Sequence, residues 1–372
     1  MTDKKSSRIL TFDLLRGYFL VAIILDHLNF FPNGLDWWSA RGSLFVTTAE
    51  GFFLISGIVL GIVRGAKLIN DPFRHVAKLL LKRGLQLYLT SIILVLLFTL
   101  IGWWLFIHNP GLKVGIMPIG TNFFEVLWKT ITLQYLYGWA DYLRLYAVFL
   151  LASPLVMWCL RKGKWYLALA GSVLLWLLFP ADPTIPDAQQ EHMQLLSWQL
   201  LFFGGMMIGF YWDKIVDWWK RQNPTYTRVA RYTVVVLTII TILANVVIYF
   251  GPQYFPHLFS LLSDLNYKLY IGFFDKERLP LPRLALFILW FWAAFLVFKR
   301  YEPFIKKWLG WLLLPFGTNS LYVYTIHAFI IFLIHLWLQP GNFLFNFIVS
   351  STIILLIRVM IRYRILMKVI PR

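Results

Sequence analysis

Long apolar segments separated by short polar ones recur along the whole chain. A helix needs about 17–25 mostly apolar residues to cross a bilayer. About ten segments meet this length, and they lie near residues 10–30, 43–63, 84–107, 140–160, 164–180, 194–212, 232–251, 281–298, 316–338 and 343–363. The pattern predicts an all-α integral membrane protein of about ten transmembrane helices, forming one polytopic domain over residues 1–372.

Two further stretches break this pattern. Residues 122–138 are amphipathic, which predicts an interfacial or re-entrant segment. Residues 253–279 are too polar to span, and we expect them to form a longer external loop.

The basic residues concentrate in alternate connecting segments. An even number of spans puts both termini on one side of the membrane, and most of the 35 Lys and Arg residues then share that side. The positive-inside rule therefore predicts that both termini are cytoplasmic. The net charge of +18 follows from this topology, with some added affinity for anionic lipid headgroups, and does not indicate nucleic-acid binding.

Composition supports the membrane assignment. Only 14% of the residues are charged, against about a quarter in soluble domains. The single cysteine, Cys159, excludes a disulfide framework and a cysteine-based metal cage, and we predict no metal site. The first apolar segment contains charges and has no small-residue cleavage site, so we expect it to remain as a helix.

The first two apolar segments carry the most informative charges. Arg16 and His27 are eleven residues apart, about three helical turns and roughly 16 Å of rise, so both project from nearly one stripe of the first helix. Asp13 is placed to pair with Arg16. Asp26 points about 100° away from His27 and cannot orient it within that helix. Ionisable groups at membrane depth usually face a protein interior or a wet cavity.

Each of these side chains allows a functional and a structural interpretation. His27 is a candidate general base or an interfacial residue that caps the helix. Arg16 is a candidate ligand for a phosphate or carboxylate, or a partner of Asp13 that snorkels to the cytoplasmic face. Glu50 in the second segment is a third catalytic candidate, because a carboxylate there is not expected to face lipid. The spacing of Gly51, Gly57 and Gly61 predicts close helix packing.

The first cytoplasmic segment is strongly basic. It contains a helical face that suits the phosphates of a nucleotide-bearing donor, although any cytoplasmic loop is expected to be basic. The candidate donor-binding residues are Arg64, Arg74, Lys78, Lys82 and Arg83.

Polar and aromatic residues elsewhere are candidates for acceptor binding. Carboxylates beside aromatic rings suit sugars, but interhelical hydrogen bonds and interfacial tryptophans explain the same residues. The candidate substrate-binding residues are Asp26, Trp38, Trp198, Gln199, Ser320, Tyr324 and His327.

Several motifs resemble one family. FDLLRGYFLVAIILDH contains Arg16 and His27 and resembles the R-x10-H signature of the acyltransferase family 3 membrane proteins. AEGFFLISGIVLG and FGTNSLYVYTIHAFI resemble the second helix and the late S-x-x-x-Y-x-x-H segment of that superfamily. SWQLLFFGGMMIG, ADYLRLYAVFLLASPL and DKERLPLPRLALFI are similar to its OpgC branch.

The resemblance implies a multi-pass enzyme of the inner (plasma) membrane. Such an enzyme takes an acyl group, such as succinyl or acetyl, from cytosolic acyl-CoA and transfers it to a hydroxyl of a periplasmic or cell-envelope glycan. By position, Arg16 and His27 match the signature pair, and Arg64 with residues 74–83 matches the region that meets the donor. We expect acyl-CoA, a carbohydrate acceptor and the bilayer as partners, with no permanently bound cofactor.

Two alternatives stay open at the level of sequence. Buried charges also line transport pathways, so a transporter or flippase is the main competitor, although residues 1–186 and 187–372 show no convincing internal repeat. A protein that only senses or binds lipid or glycan is the other.

Overall fold

Fourteen α-helices make up the described part of the chain. The computed structural model describes residues 9–106, 121–135, 139, 141–178, 194–367 and 370. The helices are α1 (Leu10–Leu28), α2 (Thr48–Leu60), α3 (Phe73–Phe106), α4 (Phe123–Ile131), α5 (Asp141–Arg161), α6 (Trp165–Leu177), α7 (Leu195–Phe210), α8 (Trp212–Arg221), α9 (Pro224–Tyr254), α10 (Phe259–Phe273), α11 (Leu281–Arg300), α12 (Glu302–Thr318), α13 (Ser320–Trp337) and α14 (Phe343–Arg362). A π-helical turn, Gly61–Ala66, continues α2.

The helices confirm a multi-pass membrane protein. Among the described residues, seven helices are long and apolar enough to cross a bilayer: α2 with its π-helical turn, α3, α5, α9, α11, α13 and α14. The pair α7 and α8, which bends by 68°, brings the number to eight if it forms one broken span. Helix α1 has 19 residues but carries Asp13, Arg16 and Asp26, and α6 has only 13 residues. About ten spans and cytoplasmic termini therefore stay predictions.

Helices occupy all of the apolar segments that the sequence predicts to be helical, with three differences. The basic stretch before the third segment belongs to α3 itself, which begins at Phe73 and runs for 34 residues. The segment 316–338 is divided at Asn319 between α12 and α13. The prediction of a loop at 253–279 is wrong, because α10 occupies 15 of those residues.

Glycines allow two pairs of helices to cross with their backbones in contact. A Cβ on Gly57 or Gly61 of α2 would overlap carbonyl oxygens of α7, and one on Gly205 or Gly209 of α7 would overlap carbonyl oxygens of α2. Gly17 of α1 and Gly317 of α12 meet in the same reciprocal way. The prediction of close packing by Gly57 and Gly61 is confirmed, and Gly51 lies against the ring of Phe19. These crossings fix α1 and α2, which carry Arg16, His27 and Glu50.

Adjacent glycines in α7 provide a test of the crossing. We expect Gly205→Ala to destabilise the protein by about 1–3 kcal/mol, because its methyl group would overlap the carbonyl oxygen of Leu54. Gly204→Ala is the matched control, since a Cβ there meets nothing within 4 Å. Thermal unfolding in detergent, followed by size-exclusion chromatography, measures the difference. Equal melting temperatures for the two variants would contradict the crossing.

Candidate functional site

His27 lies at the C-terminal end of α1 in a group that we name the histidine cluster: His27, His327, Tyr324 and Trp139. Nδ1 of His27 is 3.0 Å from Nε2 of His327, and Nδ1 of His327 is 2.5 Å from the carbonyl oxygen of Tyr324. The indole of Trp139 stacks on the His27 ring with centroids 4.2 Å apart and planes 11° apart. These contacts therefore hold the plane of the His27 imidazole and occupy its Nδ1.

The other nitrogen of His27 remains available. Among the described residues, none forms a hydrogen bond to Nε2 of His27, and the residue is only half-buried. His327, by contrast, is completely buried. Nε2 of His27 is thus the ring nitrogen of this cluster that has no hydrogen-bond partner among the described residues.

Asp26 and Lys276 lie beside the histidine cluster. Asp26 accepts a hydrogen bond from the hydroxyl of Ser39, and Lys276 is close enough to interact electrostatically with Asp26 and His27. Trp38 stacks on Tyr18 at 5.5 Å, and the Tyr18 hydroxyl donates to the Trp38 carbonyl oxygen at 2.6 Å. Asp26 and Trp38, both predicted to bind substrate, therefore lie in or beside the segment that follows α1.

Asp36 organises that segment. Its carboxylate accepts hydrogen bonds from the backbone N–H groups of Asn33 and Gly34 and pairs with Arg41 at 2.7 Å. Burial opposes ionisation of Asp36, but these hydrogen bonds and the Arg41 charge outweigh it and lower the pKa of the carboxyl group. The loop over the end of α1 thus has a fixed anionic centre.

A second group, the arginine cluster, consists of Arg16, Arg64, Arg83 and Tyr146. Arg16 is buried in α1, and its Nη2 donates to the carbonyl oxygen of Ile55 at 3.4 Å. Tyr146 is near enough to interact electrostatically with Arg16 and Arg83. Arg83 and Arg64 are near enough for their like charges to interact. Arg64 lies in the π-helical turn, an irregularity that often marks functional sites.

The predicted basic face is divided by the fold of α3. Arg74, Lys78 and Lys82 are exposed, whereas Arg83 turns inward. Nη2 of Arg83 is buried and has no hydrogen-bond partner within the described residues. A buried guanidinium nitrogen without an acceptor is costly, so Arg83 is a better candidate for an anionic ligand than the three exposed residues.

Buried tyrosines connect the two clusters. The rings of Tyr324 and Tyr142 are 4.5 Å apart, and those of Tyr142 and Tyr146 are 6.0 Å apart. All three residues are buried. This tyrosine row spans the interior from the histidine cluster to the arginine cluster.

Glu50 lies in a structural ion pair. Its Oε1 accepts from Nε of Arg283 at 2.7 Å and also from Nη2, and its Oε2 accepts from the backbone and hydroxyl of Thr47. Glu50 and Arg283 are both completely buried. Glu50, a catalytic candidate from the sequence, does not lie beside His27: its Oε2 caps α2 and its Oε1 binds Arg283 of α11. The imidazole beside His27 is that of His327.

Trp198 and Gln199, two of the predicted substrate-binding residues, form hydrogen bonds inside the protein. The Trp198 indole donates to the carbonyl oxygen of Lys276 at 3.1 Å, and Gln199 exchanges hydrogen bonds with Ser172 of α6. Ser320 begins α13, about 10 Å of helix rise before His327. Both nitrogens of His327 are already hydrogen-bonded. Tyr324 does belong to the histidine cluster.

The sequence does not single out Trp139, Tyr142 and Tyr146 of the clusters and tyrosine row, or Arg283, the partner of Glu50. The spacing of Tyr142 and Tyr146, one helical turn apart, was an available signal. Arg283 and Trp139 offered no local signal, because their partners are distant in sequence. Within the described ranges, no group of three or more His, Cys, Asp and Glu side chains is arranged to hold a metal ion.

The chain matches a known protein family. No curated protein matches the chain, and neither does any solved structure. The family described as OpgC protein matches residues 8–369, nearly the whole chain and both clusters. The chain therefore belongs to the OpgC protein family.

Proposed function

We propose that the protein is a membrane O-acyltransferase that transfers an acyl group, succinyl or acetyl, from acyl-CoA to a hydroxyl group of a cell-envelope or periplasmic glycan. Membership of the OpgC family implies a membrane protein that modifies a glucan, and the family name suggests a transferase. The donor, the acceptor and the chemistry below are our own inference.

One observation carries the proposal. His27, whose Nε2 has no hydrogen-bond partner among the described residues, and Arg16, a member of the arginine cluster, lie on one helix with roughly 16 Å of rise between them. A base suits the deprotonation of a hydroxyl group, and guanidinium groups suit phosphates. An acyl-CoA carries phosphates at one end and a thioester at the other, so it matches both.

In the proposed reaction, His27 is the general base. Its Nε2 takes the proton of the acceptor hydroxyl while the oxygen attacks the thioester carbonyl carbon and forms the new C–O bond. Collapse of the tetrahedral intermediate breaks the C–S bond, and the protonated His27 returns its proton to the departing thiolate. The products are the glycan ester and free CoA. Holding both substrates in place supplies much of the rate.

The donor and acceptor approach from opposite ends in this proposal. The donor phosphates bind Arg16, Arg64 and Arg83, and the pantetheine arm follows the tyrosine row toward His27. The acceptor binds beside Asp26 and Trp38. The distribution of basic residues supports cytoplasmic termini and a donor on the cytosolic side, and we propose the inner (plasma) membrane as the location.

Radiolabelled acyl transfer tests the function. The purified protein in liposomes receives a panel of labelled acyl-CoAs on one side and glucan oligosaccharides on the other. We expect label to appear on the glucan, with one acyl-CoA preferred. The proposal is wrong if folded protein transfers no label from any acyl-CoA, and glucan movement across the vesicle without acyl-CoA would establish a transporter instead.

Arg83 provides a test of the donor site. We expect Arg83→Met to raise KM for acyl-CoA by roughly 10- to 100-fold, the loss of one charge-assisted hydrogen bond to a phosphate, with kcat little changed. Lys82→Met removes the same charge from the adjacent, exposed position, and we expect a change of less than about threefold. Equal effects of the two substitutions on KM would show that Arg83 has no special part in donor binding.

A further inference from the structure

The protonation of His327 follows from its partners. Nδ1 of His327 lies 2.5 Å from the carbonyl oxygen of Tyr324. A carbonyl oxygen only accepts hydrogen bonds, so Nδ1 of His327 must carry a proton. His327 is also completely buried, and its partners are backbone groups of Tyr324 and Val323 and an imidazole rather than a carboxylate. A buried imidazolium without a carboxylate is costly, so His327 is neutral and its Nε2 is an acceptor.

The hydrogen bond between the two histidines also determines which nitrogen of His27 is protonated. Nε2 of His327 lies 3.0 Å from Nδ1 of His27. Because Nε2 of His327 accepts, Nδ1 of His27 must donate, and it therefore carries the proton of that ring. Nε2 of His27 is left with its lone pair, and it is the nitrogen to which no described residue hydrogen-bonds.

From this chain of hydrogen bonds we propose that His327 is a positioning residue that selects the tautomer of His27 in which Nε2 is the base. The inference rests on the proposed function, since it assigns His327 a part in the same reaction. When His27 becomes an imidazolium, its Nδ1–H still donates to His327, which helps to stabilise the charge. His327 thus acts through His27 and does not contact the reacting atoms. The carbonyl oxygen of Tyr324, one helical turn earlier on α13, binds Nδ1 of His327 and holds its ring in place.

Nitrogen NMR tests the tautomer without any activity measurement. The full-length protein in nanodiscs is labelled with 15N-histidine, and its 7 histidines are separated with the help of a His27→Ala spectrum. In the native protein we expect Nδ1 of His27 to be protonated and Nε2 to be unprotonated. In His327→Leu we expect His27 no longer to be held in this one tautomer. A protonated Nε2 in the native protein, or an unchanged pattern in His327→Leu, would overturn the inference.

Matched variants separate positioning from structure. His327→Leu removes the acceptor, and we expect kcat to fall roughly 10²-fold with KM for acyl-CoA unchanged. His327→Gln keeps a carboxamide oxygen that accepts from Nδ1 of His27, so we expect it to keep the native pattern and to stay within about tenfold of native kcat. His335→Leu is the control on the same helix, because His335 also binds α1, at the carbonyl oxygen of Leu28, and we expect it to keep native kcat.

The outcomes separate this inference from the proposed function. A native protein that transfers no acyl group, but shows the expected His27 tautomer and its loss in His327→Leu, contradicts the function and keeps the hydrogen-bond chain. An active protein in which His327→Gln is as impaired as His327→Leu contradicts the positioning role.

Discussion

Replacing His27 with alanine is expected to lower acyl transfer by roughly 10²- to 10⁴-fold, the usual contribution of a general base. Alanine has no group that can take the proton of the acceptor hydroxyl. The donor site is expected to survive, because Arg16 lies about three helical turns from His27 on α1 and Arg64 and Arg83 belong to other elements. The measurement is the initial rate of labelled acyl transfer in liposomes at saturating acyl-CoA.

His27→Gln is the informative partner of that variant. Glutamine can still donate a hydrogen bond to Nε2 of His327, as Nδ1 of His27 does, but it cannot accept a proton in the working pH range. We expect His27→Gln to be as inactive as His27→Ala while melting at the native temperature. Substantial activity in His27→Gln would remove His27 from the role of base.

Replacing Arg283 with methionine is expected to destabilise the protein by about 3–5 kcal/mol, the usual result of leaving a buried charge unpaired. The carboxylate of Glu50 would stay in a completely buried position. The carbonyl oxygen of Phe274 would also lose the Nη1 donor that lies 2.6 Å away. Thermal unfolding in detergent and the yield of monodisperse protein measure the loss.

A double variant and a surface variant make this prediction specific. Glu50→Gln combined with Arg283→Met removes both charges, and we expect it to recover more than half of the lost stability, because an uncharged pair has no comparable burial cost. Lys299→Met breaks the more exposed 3.3 Å pair with Glu302, for which we expect less than about 1 kcal/mol. A double variant that is no more stable than Arg283→Met would show that the charges are not the cause.

Helices α1 and α2 show what local sequence can predict. Helical periodicity places Arg16 and His27 on one stripe of α1, because the rise and rotation per residue are fixed by backbone hydrogen bonds. Glycine spacing predicts a close helix crossing because a missing Cβ has the same consequence wherever the helix lies. Both predictions depend on a single helix, and the structure agrees with both.

The partners of these residues could not be predicted in the same way. His27 meets His327 and Glu50 meets Arg283 across separations of 300 and 233 residues. Such pairs depend on which helix faces come together, and one sequence holds no direct record of that. Glu50 is a catalytic candidate from the sequence because a buried carboxylate needs a partner. In the structure that partner is the guanidinium of Arg283. The inward turn of Arg83, one residue from exposed Lys82, likewise depends on the packing of α3.

The placement of Arg16 and His27 on one continuous helix has a consequence for donor choice. α1 sets a fixed distance between Arg16 and His27, because domain movements do not change the length of eleven residues of α-helix. In the proposed acyl transfer, a compact donor such as an acyl phosphate, whose anionic and reactive groups are adjacent, could not contact Arg16 and His27 at once. Such small donors would therefore lack the anchoring at Arg16 that an acyl-CoA gains while its thioester lies at His27.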